Sequence, residues 1–158
     1  MRPIASTCRR YGFWGTPAWW QAGQAPEDVL PKSSLISIVD DDPPLLDSMR
    51  RLMTSLGYTV QTFPSAAAFL VSPHLAETVC LIADVNMPGM NGDELHRRLI
   101  ASGHAIPTIL VTAYPDEAVR ARAMKDGLVC YLHKPLDESH LVDCIRSALE
   151  RPRPVRHS

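Results

Sequence analysis

The 158-residue chain lacks any uninterrupted apolar run of about 18 residues, so it carries no segment that could cross a bilayer as a helix. It also lacks the ligand spacing of a zinc site. Cys8, Cys80, Cys130 and Cys144 stand far apart with no C-x-x-C pair, and the six histidines are scattered without an H-x3-H pattern. A charge excess is missing too: 16 Lys and Arg oppose 17 Asp and Glu. That balance excludes a basic nucleic-acid-coating protein and an acidic disordered chain. What remains is 46% hydrophobic, enough for one domain with a buried core. Cys80 and Cys130 fall in apolar runs that read as buried strands, where a free thiol acts as a small hydrophobe. The expectation is of reduced, structural thiols in the cytosol.

The charge is unevenly spread. Residues 1–34 sum to +2 and the tail from Arg151 to +3, which leaves −6 for residues 35–150. Residues 1–34 also hold all three tryptophans and show no clear periodicity. The Arg9-Arg10 pair precedes a stretch broken by Pro17, Gln21 and Gln24, too interrupted for the apolar core of an export signal. A flexible arm, a docking segment and a start codon set too far upstream all stay open for this stretch. The expected organisation is an irregular extension over 1–34, one domain over 35–150, and a basic tail over 151–158.

From Leu35 onward the pattern becomes regular. Leu35–Val39 is an apolar run stopped by Asp40-Asp41-Asp42. Pro43 and Pro44 suit a helix's first turn, where the missing N–H is not needed, and Asp42 is the expected N-cap. Leu45, Met49, Leu52, Met53 and Leu56 recur at three- and four-residue steps, one apolar helical face. Strands are expected over 58–62, 79–83, 108–111 and 128–132. Helices are expected over 65–71, 93–101, 115–125 and 137–149. Five strands thus alternate with five helices, and four of the strands are nearly all apolar. Strands buried on both faces and joined through helices argue for an α/β fold with a doubly wound parallel sheet. Such sheets bind ligands beyond the carboxyl ends of their strands.

Those ends carry chemistry. The first strand runs into Asp40 and Asp41, the third into Asp84, the fourth into Thr112, and the fifth leads to Lys134. Crowded carboxylates repel unless a cation sits among them, and oxygen-only ligands favour a hard ion such as Mg²⁺. A divalent ion with a lysine nearby can screen a phosphoryl group in transfer, and an aspartate can itself be the nucleophile. Singly, each residue is commonplace as a cap or a loop residue. Together, each at the correct end of its own strand, they point to one site.

Four segments carry a family resemblance: Ile38-Val39-Asp40-Asp41-Asp42, Ala83-Asp84 through Met87-Pro88-Gly89-Met90-Asn91-Gly92, Leu110-Val111-Thr112-Ala113, and Tyr131-Leu132-His133-Lys134-Pro135. Over residues 35–150 the chain resembles the receiver domain of two-component response regulators, CheY-like in architecture and similar in flavour to FixJ-type receivers. The resemblance implies a five-stranded (βα)5 flavodoxin-like sheet in the order 2-1-3-4-5. It implies Asp84 as phosphoacceptor, taking a phosphoryl group from a phosphohistidine of a sensor histidine kinase or histidine phosphotransfer protein. It implies Mg²⁺ held by Asp40, Asp41, Asp84 and the backbone carbonyl of Asn86. Lys134 and Thr112 would contact the phosphoryl group, and Tyr131 would turn with Thr112 as the aromatic switch. Asn86 and Tyr114 would tune phosphate lifetime, with Tyr114 shielding the acyl phosphate. The Lys134-Pro135 bond is expected to be cis.

The implied output is a protein partner met by the face of the fourth helix, fifth strand and fifth helix, with phosphorylation-dependent homodimerisation left open. The eight residues after Glu150 are too short and proline-broken for a DNA-reading helix. The expectation is therefore a stand-alone, cytoplasmic receiver that is not an enzyme acting on other molecules, with no direct DNA or membrane binding. Two other classes remain: a haloacid-dehalogenase-type phosphatase with an Asp nucleophile, and a binding module that is never phosphorylated. The phosphatase would want an acid two residues after its nucleophile, where this chain has Asn86. A flavodoxin-like carrier is disfavoured because no Ser/Thr/Gly-rich phosphate loop follows the first strand.

Overall fold

The computed structural model describes residues 34–151; the expectations for residues 1–33 and 152–158, including Cys8 and the Arg9-Arg10 pair, lie outside the described residues. The described chain runs β1 (Leu35–Val39), α1 (Pro43–Ser55), β2 (Thr59–Phe63), α2 (Ala66–Leu70), a 3-10 turn (Leu75–Glu77), β3 (Thr78–Asp84), α3 (Gly92–Ala101), β4 (Thr108–Thr112), α4 (Glu117–Lys125), β5 (Cys130–His133) and α5 (Glu138–Glu150). All strand pairs are parallel, and the sheet order is β2-β1-β3-β4-β5.

This order explains which strands are apolar throughout. β1 and β4 are buried at every residue and β3 at all but one, because each has a strand on both sides and helices above and below. β2 and β5 form the edges and are partly exposed. Alternate side chains feed two cores. Ile36, Ile38, Cys80, Ile82, Ile109 and Val111 pack against Met49 and Met53 of α1 and Leu141 and Ile145 of α5. Val39, Leu81, Ala83 and Leu110 point the other way, toward Phe69 of α2, Leu95 and Leu99 of α3, and Ala123 of α4. The period-2 alternation of a strand is what divides them. Within the sheet, Ser37 is fully buried but meets the Thr78 hydroxyl at 2.7 Å, so its polar atom is satisfied.

Local chemistry sets several boundaries. The fourth helix begins at Glu117, because Asp116 takes the N-cap position and accepts from the N–H groups of Ala118 and Val119. α3 opens on a capping box between Asn91 and Glu94. The fifth strand starts at Cys130, two residues later than the apolar pattern suggests, since the Leu128 N–H still bonds back to Ala123 at the end of α4. Asp42 does sit at the N-cap of α1, but its carboxylate caps no N–H group. With Pro43 and Pro44 opening the helix there is no donor at its first two positions, and Asp42 instead donates its own N–H to Asp40. The expectation of four free thiols also needs correction. Cys130 and Cys144 are joined as a disulfide, with Cα atoms 6.2 Å apart, while Cys80 is free and buried. The two are 14 residues apart in sequence, and only the return of α5 onto β5 brings them face to face.

α3 and α4 are tied by a buried carboxylate. Asp93 accepts from both Arg97 of its own helix and Arg122 of α4. Among the described residues no helix is long and apolar enough to cross a membrane.

Candidate functional site

Backbone pairing beyond the strand ends sets the height of each functional residue. The Asp40 N–H reaches the Phe63 carbonyl at 3.1 Å, the Val85 N–H the Val111 carbonyl at 2.8 Å, and the Lys134 N–H the Thr112 carbonyl at 2.8 Å. Asp40, Asp84, Thr112 and Lys134 therefore arrive together at the carboxyl edge of the sheet. The Lys134-Pro135 bond is cis.

The acidic residues form one cluster. One carboxylate oxygen from each of Asp40, Asp41 and Asp84 lies within 4.8 Å of the other two. Asp40 and Asp84 are buried, whereas Asp41 faces solvent. The Lys134 ammonium spans the two buried carboxylates, 3.1 Å from Asp40 Oδ2 and 3.4 Å from Asp84 Oδ2. Their other oxygens are held from the backbone: the Asp42 N–H donates to Asp40 Oδ1 at 3.0 Å, and the Asn86 N–H to Asp84 Oδ1 at 3.1 Å.

One lysine does not balance this much negative charge. Burial, and then the Asp84 carboxylate, push the Asp40 carboxyl from its ordinary 3.8 up to about 6, and Lys134 offsets only part of that. Burial alone would lower the Lys134 pKa, but the hydrogen bond and charge of Asp40, together with Asp84, raise it on balance. The donor set is all oxygen, has excess negative charge, and opens to solvent at Asp41. Those properties fit a hard divalent cation such as Mg²⁺.

Thr112 is fully buried, yet its hydroxyl is engaged twice. It donates to Asn86 Oδ1 at 2.5 Å and accepts from the Tyr114 N–H at 2.9 Å. Tyr131 lies on the neighbouring strand, half-buried, and its hydroxyl accepts from the Asp116 N–H at 3.1 Å. The Tyr114 side chain is 76% exposed, so what Tyr114 gives Thr112 is its backbone.

The structure thus brings together Asp40, Asp41, Asp84, Asn86, Thr112 and Lys134, with Tyr131 tethered nearby and Tyr114 turned outward. Two features of the site were not assigned from sequence. The Asn86 side chain, beyond its backbone, is the partner of Thr112; the short step from Asp84 to Asn86 gave no sign of that contact. Gly92 was quoted in a motif but given no role. A Cβ added there would lie 2.5 Å from the Asp84 carbonyl oxygen and 3.1 Å from Leu110, so only glycine lets α3 start directly against the acidic strand.

Comparison with known proteins agrees with this geometry. The family model described as the response regulator receiver domain matches residues 36–146. The response regulator protein TodT of Pseudomonas putida is 37% identical over 119 residues, covering 75% of this chain and 52% of its own length. The transcriptional regulatory protein FixJ of Bradyrhizobium diazoefficiens is 35% identical over 123 residues, covering 78% of this chain and 60% of FixJ. The chain therefore spans about half the length of TodT and somewhat more of FixJ. Among solved structures, that of FixJ-N superposes with a TM-score of 0.69 at 31% identity, covering 78% of this chain and 98% of that one. The low-resolution structure of the response regulator StyR gives 0.70 at 37% identity, covering 75% and 60%. With the sheet order, the acidic edge and these matches in agreement, the chain belongs to the receiver-domain family of two-component response regulators.

Proposed function

We propose that this receiver takes a phosphoryl group from a phosphohistidine onto Asp84, and that the modification changes the face formed by α4, β5 and α5. What supports this most is the Lys134 ammonium lying across Asp40 and Asp84 within a cluster of three carboxylates. In the transfer, an Asp84 carboxylate oxygen bonds to phosphorus as the phosphorus–nitrogen bond of the donor breaks, and the electron pair leaves with the imidazole. Asp40, Asp41 and Asp84, with the Asn86 carbonyl, would hold Mg²⁺, which when bound supplies positive charge beside the phosphoryl oxygens. The donor would be a sensor histidine kinase or a histidine phosphotransfer protein.

The chain's own residues supply the rest. Lys134 is already within reach of the nucleophile and can follow charge as it moves onto the phosphoryl oxygens. Thr112 would exchange Asn86 for a phosphoryl oxygen, freeing the Asn86 side chain and drawing β4 toward the site. Tyr131 would then give up the Asp116 N–H and turn inward, loosening α4 at its N-cap. Phosphorylation adds roughly −1.5 to −2 charge. Shifting a two-state equilibrium from mostly off to mostly on takes about 5.5 kcal/mol of differential stabilisation, which a few charge-assisted hydrogen bonds can approach. On this reading the output is contact with a protein partner, and the phosphate's lifetime is tuned at Asn86 and Tyr114.

The test is intact-protein mass after incubation with acetyl phosphate and Mg²⁺, for the native chain and for Asp84→Asn. A magnesium-dependent gain of one phosphoryl group, absent from the variant, is the expected result. Equal gain in both, or none in either, would sink the assignment.

A further inference from the structure

The Cys130–Cys144 pair has no part in the phosphoryl chemistry, yet it lies inside the face proposed as output. Cys130 opens β5 and immediately precedes Tyr131, while Cys144 lies midway along α5. Their Cα separation of 6.2 Å falls within the range a disulfide spans. The pair differs sharply from Cys80, whose thiol is fully buried among apolar groups and pushed up to about 12 by that burial, which makes it inert. Cys144 is 3% exposed and lies in the same core cluster as Leu141 and Ile145, whereas Cys130, at the start of an edge strand, is only partly buried against that cluster.

Contacts other than the bond also hold α5 against the sheet. Leu141, Ile145 and Ala148 are anchored in the core, and Arg151 Nη1 donates to the Gly127 carbonyl at 2.8 Å, joining the end of α5 to the turn before β5. Making or breaking the sulfur bridge can therefore change how firmly β5 and α5 move together while the domain stays folded.

We propose that Cys130 and Cys144 form a reversible thiol–disulfide site whose reaction partners are small-molecule disulfides of the glutathione class. The Cys130 thiolate, on the less buried residue of the two, attacks one sulfur of the small disulfide; the sulfur–sulfur bond breaks, one small thiol leaves, and a mixed disulfide forms on Cys130. The Cys144 thiolate, shielded from outside reagents but facing Cys130, then attacks the Cys130 sulfur and releases the second small thiol. Two protein thiols give up two protons and two electrons, and one small disulfide becomes two small thiols. An excess of the small thiol runs the sequence backward.

The consequence for signalling rests on the phosphoacceptor reading given above. In the oxidised form β5 is bonded to α5 one residue before Tyr131, on the opposite side of the sheet from that ring, and restrains the strand that carries it. The oxidised protein then takes up and holds a phosphoryl group less readily than the dithiol form.

The test uses the full chain, reduced, freed of reductant, and exposed to oxidised glutathione. Intact mass, free-thiol titration and peptide mapping follow the reaction, the mapping separating Cys8 from the pair. The expected result is loss of two hydrogen atoms, a cross-linked peptide joining Cys130 to Cys144, and full reversal by dithiothreitol. Cys144→Ala should stop at a glutathione adduct on Cys130. Cys130→Ser, at the more open position, should leave Cys144 unreacted, and circular dichroism of both variants checks that they fold. A stable glutathione adduct on Cys130 or Cys144 of the native chain, a bond between two copies through either of them, or a pair left reduced in excess oxidant would overturn the site. Acetyl phosphate labelling of both redox forms tests the coupling, with labelling of the oxidised form expected to be about fivefold slower or more. Equal rates overturn the coupling alone, whereas no labelling of either form counts against the phosphoacceptor reading and not against the thiol chemistry.

Discussion

Replacing Asp40 by Asn should stabilise the metal-free protein near neutral pH, although it removes a salt-bridge partner of Lys134. Asp40 is buried against Asp84, and its carboxyl is pushed from 3.8 up to about 6. A raised carboxyl pKa means that the folded state favours the protonated form. Above about pH 6 the fold carries the full cost of holding Asp40 ionised; between about 6 and 4 that cost shrinks, and below both values it is gone. Two units correspond to about 3 kcal/mol as an upper bound. Solvent reaching the cluster at Asp41 screens part of it, leaving on the order of 1–2 kcal/mol. The amide keeps an oxygen for the Asp42 N–H and leaves Lys134 paired with Asp84. Urea denaturation in chelator at pH 7 and at pH 4 reads the difference: the variant should gain about 1–2 kcal/mol at the higher pH and nothing at the lower. Adding Mg²⁺ at pH 7 should then stabilise the native chain more than the variant, narrowing the gap. If the variant were instead destabilised at pH 7 and little changed at pH 4, the Asp40–Lys134 pair would outweigh the burial of Asp40 and the repulsion from Asp84, and the electrostatic argument would be refuted.

Three further outcomes follow from the geometry. Gly92→Ala sets two effects against each other. Helix propensity favours alanine by about 1 kcal/mol, while the Cβ strikes the Asp84 carbonyl, so a net loss of about 1–3 kcal/mol and impaired phosphoryl uptake are expected; a stabilised, fully active variant would show that the contact relaxes freely. Asp116→Ala removes the cap that serves Ala118 and Val119 and should lower the unfolding free energy by about 1 kcal/mol, with amide exchange of the first turn of α4 rising most. Tyr114→Ala, at a side chain 76% exposed, should change stability by less than about 0.5 kcal/mol while hastening loss of the acyl phosphate; an unchanged decay rate would remove the shielding role.

The parts legible in the sequence were those in which neighbouring residues carry their own information. Apolar runs of strand length ending in Asp40, Asp84 and Thr112 announced both the layers and the edge where chemistry lies, because a strand buried on both faces admits polar groups only at its ends. Caps are similarly local, yet Asp42 shows the limit: its type and position were right, but Pro44 removes one of the two N–H groups its carboxylate could have capped, and the carboxylate caps neither. Contacts made by the return of distant elements were beyond reach. The bond of Cys130 to Cys144, the hold of Asp93 on Arg122, and the Asn86 side chain on Thr112 each depend on how α5, α4 or β4 settles against its neighbours. No periodicity encodes those placements.

The site is also a place where the protein departs from what would stabilise it. The buried hydroxyls of Ser37 and Thr108 have hydrogen-bond partners, whereas the edge crowds Asp40 and Asp84 around a single ammonium and lifts one carboxyl well above its ordinary value. A module that only bound partners would have no need of that repulsion, and an amide at position 40 would relieve it. The crowding is useful if positive charge is to be recruited and a phosphoryl group is to be received on one of the acids. Gly92 reinforces the point, since α3 is brought so close to the acidic strand that no side chain fits between them. Strain from like charge, a bridging lysine shared by two acids, and a buried threonine hydroxyl bonded to Asn86 would each serve the phosphorylation-driven two-state switch proposed above.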